Sequence, residues 1–573
     1  MRIHIYPVCV WIFLLLSTSS CVPVKNPKES PLAVWIEKYQ SIKDSIDQTY
    51  EEGWGDPSKA SYTNLEKSFA EIRSGLDGID GNKLNEEEQI DRQLLVLELD
   101  NELNDLRFQS WLMPLNAEGG FLTGIVYWAQ RADVSREEAQ KKYLNKLKSL
   151  PGYLQSMTRI MQLGMESRKI SPNIITQRCV DLLKNYLDTP PENSFLLSAF
   201  QDDSHPVKTE AIGIIKNEVW PALNKFRDFL QSEYLPASTE EPGISHLDGG
   251  KSFYEAKVRY YTTLDMSPDE VFNTGESEVK RIRSEMEDII RKTGFRGDFA
   301  DFLAFLRKDP QFYAKTPREL LYRATWLSKK IEGKLPAYFN KLPRMPFVVE
   351  PVPEAIAPNY TGGRYSEGSY KTGKPGAYWV NTYKLESRPL YVLPALTLHE
   401  AVPGHHLQIM LSRELENVPK FREQLYISAF GEGWGLYSEY LGIEAGMYET
   451  LYEDFGRLTY EMWRACRLVV DAGLHYKGWS RQQAVDYMAA NTALSLHEVN
   501  TEIDRYIGWP GQAVSYKIGE LKIKELRKKA EAALGDRFDI RSFHDLLLSK
   551  GSVSLSILEQ MVNQYINTVK TQT

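Results

Sequence analysis

From Leu32 onward, apolar residues recur every three to four positions, the spacing that gathers them on one face of a helix. This periodicity predicts helices over 86–111, 136–150 and 208–235. Another start is marked at Ser267-Pro268-Asp269-Glu270, with an N-cap serine, a proline in the first turn and a glutamate placed to close a capping box. The amphipathic stretch it opens ends near Gly294. Between 343 and 389 the pattern changes. Phe347-Val348-Val349-Glu350 and Ala377-Tyr378-Trp379-Val380-Asn381 read as strands, and the glycine- and tyrosine-rich segment from Tyr360 through Gly376 reads as mobile loops. After Pro389 helical spacing resumes almost to the end. The expected body is mainly α, with a helical region over 32–342 and a small sheet plus C-terminal helices over 343–573.

A chain of 573 residues with 42% apolar content can bury a large core. Acids outnumber bases by 77 to 69, a net charge of −8, which argues against a nucleic-acid partner. The N-terminus stands apart. Arg2 precedes the apolar run 5–16, which leads through Ser17-Thr18-Ser19-Ser20 to Cys21. This arrangement resembles a bacterial lipoprotein signal peptide over 1–20, with lipidation at Cys21 and a proline-bearing tether over 21–31. The alternative is an ordinary secretory signal and a secreted or periplasmic product. Val22 after the cysteine, by the sorting habit of such lipoproteins, implies the periplasmic face of the outer membrane. Cys179 and Cys466, far apart in sequence, suit buried small hydrophobes better than a disulfide framework.

Candidate chemistry concentrates near residue 400. His399-Glu400-Ala401-Val402-Pro403-Gly404-His405-His406 is similar to the H-E-x-x-H zinc signature with two residues inserted, so Pro403 occupies the place of the second histidine. On an ideal helix His405 would be rotated about 120° from His399. His406 would return to within about 20°, but about 10.5 Å along the axis. Pro403 and Gly404 favour a bulge that absorbs the insertion and brings His405 into place, with His406 as the alternative ligand. A catalytic zinc needs a third protein ligand and an open position for water. Glu432, in Gly431-Glu432-Gly433-Trp434-Gly435, is the candidate, and Glu439 further along the same face could orient a ligand. Glu400 is the candidate general base.

The segment 399–408, together with Pro510-Gly511-Gln512-Ala513-Val514-Ser515-Tyr516-Lys517-Ile518-Gly519 and Asp471-Ala472-Gly473-Leu474-His475, resembles the bacterial family called domain of unknown function 885. That family in turn resembles the helical metallopeptidases that include angiotensin-converting enzyme, thimet oligopeptidase and carboxypeptidase Taq. The resemblance implies a two-lobed helical body with a deep cleft and a small sheet beside the metal-binding helix. It also implies Zn2+ held by two histidines and a downstream glutamate. Arg505-Tyr506 is similar to the Arg-Tyr pair of those enzymes, which makes Tyr506 the leading oxyanion stabiliser, with Tyr516 and His475 as alternatives. His497 is expected to be structural or exposed. Ala377 and Tyr378 would belong to an edge strand that pairs with a peptide backbone.

These expectations converge on zinc-dependent hydrolysis of short peptides with Glu400 as base. The rivals are a zinc hydrolase of a non-peptide amide or ester, and a non-catalytic peptide-binding lipoprotein. The N-terminal reading carries its own test. Cells expressing the full chain are expected to hold it in the membrane fraction, and Cys21→Ala to release or mislocalise it. Equal partition of the two forms would reduce the leader to a secretory signal.

Overall fold

The capping box forms at Ser267: its hydroxyl accepts from the Glu270 N–H, and the Glu270 carboxylate accepts from the Ser267 N–H. The helix it opens, α1 (Pro268–Thr293), stops at Gly294, whose φ of 73° ends the helical path. These coordinates belong to a computed structural model that describes residues 30–200, 205–354, 357 and 360–571, so the leader, Cys21 and most of the tether lie outside them. The helix predicted over 86–111 spans Glu86–Phe108 and is followed by a short turn of 3-10 helix. The one predicted over 136–150 runs on through Pro151 to Glu166, because Leu154, Met157, Ile160 and Met161 continue its buried face. The stretch 208–235 is helical but widens to π turns at Ile215–Val219 and Leu230–Tyr234. Pro221 and Pro236 follow these turns, and a wider turn accommodates the missing N–H and the ring clash.

Three strands form the sheet: β1 (Phe347–Pro351), β2 (Gly363–Ser366) and β3 (Gly376–Val380). Their order is β1-β3-β2, with β1 parallel and β2 antiparallel to β3. Two expectations change here. The segment read wholly as loop contains β2, and the strand carrying Ala377 and Tyr378 is central rather than an edge. With neighbours on both sides, its backbone has no groups left for a peptide. The edges of the sheet are β1 and β2.

After the sheet come α2 (Leu393–Glu400), α3 (His405–Ser412), α4 (Ser428–Glu444), α5 (Leu451–His475), α6 (Leu496–Ile507) and α7 (Ser515–Leu534). Tyr378 and Val380 of β3 pack with Leu393 and Leu396, which fixes the sheet on α2. Two large apolar cores flank α5, and it contributes to both: Phe455, Met462 and Val470 to one, Leu468 and Ala472 to the other. A helix buried on nearly every side must also satisfy its polar groups internally. Helix α5 carries Arg457, Glu461, Arg464, Arg467, Asp471 and His475, all buried.

Helices α4 and α7 cross at Gly433 and Gly519. A Cβ on Gly519 would fall 2.0 Å from the Ala429 carbonyl oxygen, and one on Gly433 2.6 Å from Gly519 Cα. The backbones themselves are the contact surface. Gly519→Ala is therefore expected to destabilise by roughly 1–3 kcal/mol in denaturant melts, the usual cost of overpacking. Gly152→Ala, at a helical position with open space around it, is the control and should melt no earlier than the parent. Identical melts for Gly519→Ala and parent would contradict this crossing.

Candidate metal centre

Helix α2 ends at Glu400, and the chain then leaves helical geometry altogether. Ala401 has φ −92°, ψ −112° and Gly404 has φ −71°, ψ −131°, with a cis peptide bond between Val402 and Pro403. The insertion is therefore not a bulge within one helix, as the sequence suggested, but a turn joining two helices. It is tight. A Cβ on Gly404 would lie 1.9 Å from the His399 carbonyl oxygen, so only glycine lets the turn close. Trp434 on α4 clamps it by donating from Nε1 to the Pro403 carbonyl at 2.7 Å.

His405 opens α3 and meets His399, their rings 4.8 Å apart and nearly perpendicular at 86°. Glu432 completes the group. Its Oε2 lies 3.4 Å from His399 Nε2 and 3.5 Å from His405 Nε2. These separations are close to the roughly 3.3 Å edge of a tetrahedron around a zinc ion bonded at about 2.0–2.1 Å. Two imidazole nitrogens and a carboxylate also form the donor set typical of catalytic zinc. The other atoms of these side chains are mostly assigned. His399 Nδ1 bonds Glu439 Oε1 at 2.8 Å, which directs its Nε2 lone pair to the centre. Tyr426 donates to Glu432 Oε1 at 3.1 Å, leaving Oε2 for the imidazoles. His405 Nδ1 is buried without a partner among the described residues. Gly435 gives His399 its space, since a Cβ there would meet the imidazole Cε1 at 2.6 Å.

Charge follows this geometry. Burial disfavours a cationic His399, but the carboxylates of Glu432 and Glu439 outweigh burial and raise its pKa to about 9. Burial would likewise neutralise Glu432, yet the charges and hydrogen bonds of His405 and His399 hold it well below the usual carboxylate range. The three side chains thus stabilise one another as an ion-paired cluster.

Glu400 stands beside this group on the wall of a cavity of about 2910 Å³, and its Oε2 accepts from the Tyr365 N–H of β2 at 2.8 Å. His399, His405, Glu432, Tyr426, Arg364, Arg505 and Tyr516 line the same cavity.

Other predicted residues are placed elsewhere. His406 points away from the centre: its Nε2 bonds the Met345 carbonyl and its Nδ1 the Tyr365 hydroxyl, both at 3.0 Å. Burial lowers its pKa to about 4, so it is neutral with both nitrogens engaged. His406 is therefore not a ligand of this group. Tyr506 is fully buried, its hydroxyl accepting from Arg467 Nε at 2.8 Å and Trp463 Nε1 at 3.1 Å while donating to Glu502 at 2.7 Å. It is a strut, not a cavity group. His475 is a second strut, between the Ile244 N–H and the Tyr506 carbonyl, with its pKa lowered to about 4 by burial. Arg505 pairs with Glu502 at 3.1 Å and donates to Gln512 at 2.8 Å. Tyr378 is buried in the sheet, and His497 is exposed at the cavity. Sequence reasoning did not identify Tyr426 or Arg364. Tyr426 lies six residues before Glu432 with no motif to mark it, and Arg364 lies in the segment read as loop.

The model of the family described as "Bacterial protein of unknown function (DUF885)" matches residues 42–562. Among solved structures, a candidate lipoprotein from Colwellia psychrerythraea superposes with a TM-score of 0.88 at 26% identity, covering 95% of this chain and 100% of its own. A candidate lipoprotein of unknown function from Shewanella oneidensis shares the fold, with a TM-score of 0.72 at 18% identity over 93% of this chain and 99% of that one. No curated protein matches. With the family model matching most of its length, the chain belongs to the bacterial family of unknown function DUF885.

Proposed function

We propose that this protein is a zinc-dependent hydrolase of peptide bonds in short peptides, tethered to a membrane by a lipid on Cys21. The observation that carries the reading is the convergence of His399, His405 and Glu432 with a carboxylate, Glu400, on the wall of one large cavity. A zinc ion in this donor set would acidify a bound water and polarise a substrate carbonyl. Glu400 is held by one oxygen through the Tyr365 N–H, which aims the carboxylate without using all its acceptor capacity. It takes the proton of the attacking water and passes it to the leaving amine. Of the three groups considered for the oxyanion, only Tyr516 lines the cavity, and it takes that role here. Beside Glu400, β2 is an edge strand whose Tyr365 N–H already serves Glu400, and an extended peptide would lie along the rest of that edge. A site at a cavity wall admits flexible chains and excludes folded domains.

The lipid anchor draws support from two relatives described as candidate lipoproteins and from the Cys21 leader. No helix among the described residues is long and apolar enough to cross a membrane.

Purified protein is expected to bind about one zinc per chain, the occupancy of a single closed donor set. His399→Ala, His405→Ala and Glu432→Ala are each expected to abolish binding, whereas His406→Ala keeps the metal. Elemental analysis of the variants checks this, and loss of zinc from His406→Ala alone would reverse the ligand assignment. Glu400→Gln is expected to retain fold and zinc while peptide hydrolysis falls ~10²–10⁴-fold, the usual loss of acid–base catalysis. Equal turnover at matched zinc content would remove Glu400 as the base. Peptide binding without turnover in both forms would identify a binding protein, and turnover confined to non-peptide amides or esters would move the substrate class.

A further inference from the structure

The cavity beside the metal centre is lined by several arginines, and they divide into two groups. Arg467 and Arg505 share Glu502, at 3.2 and 3.1 Å, and Arg464 lies 3.8 Å from Glu439. Arg364 and Arg388 form no ion pair among the described residues. Arg364 sits on the cavity-facing edge strand, one residue before the Tyr365 N–H that holds Glu400, and its side chain is exposed to the cavity. The Tyr360 side chain is the first of its electrostatic partners. Arg388 is half-buried and touches only carbonyls, those of Tyr383 at 3.4 Å and Tyr360 at 3.5 Å. Tyr360 is thus next to both, its carbonyl facing Arg388 and its side chain interacting with Arg364, on the wall of the same cavity.

No acid among the described residues comes within ion-pair distance of either, although the charges of Glu400 and Glu432 reach Arg364 and that of Glu498 reaches Arg388. Glu432 is engaged with the imidazoles and Glu502 with its own arginines, while Glu400 uses one oxygen on the Tyr365 N–H. Glu386 and Glu498 also line this cavity, and neither makes an ion pair among the described residues. Guanidinium groups in a partly enclosed space gain most from a carboxylate, which matches their planar fork with two parallel hydrogen bonds.

We propose that Arg364 and Arg388 form a carboxylate subsite beside the metal centre, so that the preferred substrates are short peptides bearing a carboxylate close to the scissile bond. This rests on the peptidase reading above. The carboxylate comes from the peptide's own C-terminus or from an acidic side chain, and the same chemistry recognises either.

Four versions of one short peptide test the subsite: free acid with a terminal Gln, its C-terminal amide, and the same two with terminal Glu. The free acid is expected to exceed the Gln amide by roughly 30-fold or more in kcat/KM, the scale of losing one partner of a desolvated charge pair. KM should carry most of the difference. Recovery of the rate in the Glu amide would assign the site to a side-chain carboxylate, and no recovery to the C-terminus. Arg388→Ala and Arg364→Ala are each expected to shrink the acid-to-amide ratio, and Arg388→Lys to restore it in part, which a merely misfolded variant would not do. Equal rates for all four peptides overturn the subsite while leaving the peptidase reading intact. If none is cleaved, the peptidase reading falls, and calorimetric binding of the same peptides to zinc-loaded protein decides the subsite. A carboxylate preference lost in Arg388→Ala supports it, and no preference refutes it.

Discussion

The candidate site depends on one requirement, that the charges of α5 be satisfied in the interior. An ionised side chain removed from water is costly unless it is paired and hydrogen-bonded. Arg464 stands 3.8 Å from Glu439, and Glu439 bonds His399 Nδ1 at 2.8 Å, so a helix that supplies none of the three donors helps set the orientation of the first histidine. Three positions on, Arg467 binds Tyr506 and Glu502, which fixes α6. Glu461 pairs with Lys517 of α7 at 2.7 Å, and α7 crosses α4, the carrier of Glu432. Asp471 accepts from the Tyr254 hydroxyl at 2.6 Å and from the Gly511 N–H at 3.0 Å, with its pKa raised to about 7 by burial. Two of the sequence signatures therefore meet in space as one brace, away from the chemistry.

The same logic explains why a proline and a glycine stand where a zinc-binding histidine would be expected. In an unbroken helix, i and i+4 already share a face and no insertion is needed. Here the helix stops, and the turn from Ala401 to Gly404 resets the direction of the chain before His405. The rings then meet edge to face, at 86°, rather than side by side on one helical face. The turn holds because Gly404 has no side chain, because the His406 N–H reaches the Ala401 carbonyl at 3.1 Å, and because Trp434 anchors Pro403. The inserted pair thus substitutes one rigid geometry for another and leaves the donor set unchanged.

How far the sequence could be read follows from the range of each interaction. Capping at Ser267, the helical periods and the strands at 347 and 376 are local, and local chemistry decides them. His399, His405 and Glu432 were legible because their residue types and order restrict the possibilities. Strand order was not. Whether Ala377 and Tyr378 lie at an edge depends on β2, four residues whose Gly-Arg-Tyr-Ser sequence carries no strand pattern. The choice between His405 and His406 turned on backbone angles at Ala401 and Gly404, which no helical wheel contains. Tyr426 acts through Glu432, 6 residues on, Arg364 lies in the segment read as loop, and neither belongs to a recognisable motif.

The tyrosines show how burial and chemistry separate. A phenol that steadies an oxyanion must have its O–H free to donate when the charge develops. Tyr506 already donates to Glu502 and accepts from Arg467 and Trp463, so turning to a substrate would leave a buried carboxylate and a buried guanidinium short of a partner. Tyr426 donates to Glu432 Oε1, and withdrawing that bond would release the carboxylate whose other oxygen faces the imidazoles. Tyr516 has neither obligation. The Arg467 guanidinium lies 4.3 Å from its ring centroid, and the Tyr516 hydroxyl makes no hydrogen bond among the described residues. Of these three phenols it is the one without a hydrogen-bond duty in the scaffold of the described residues.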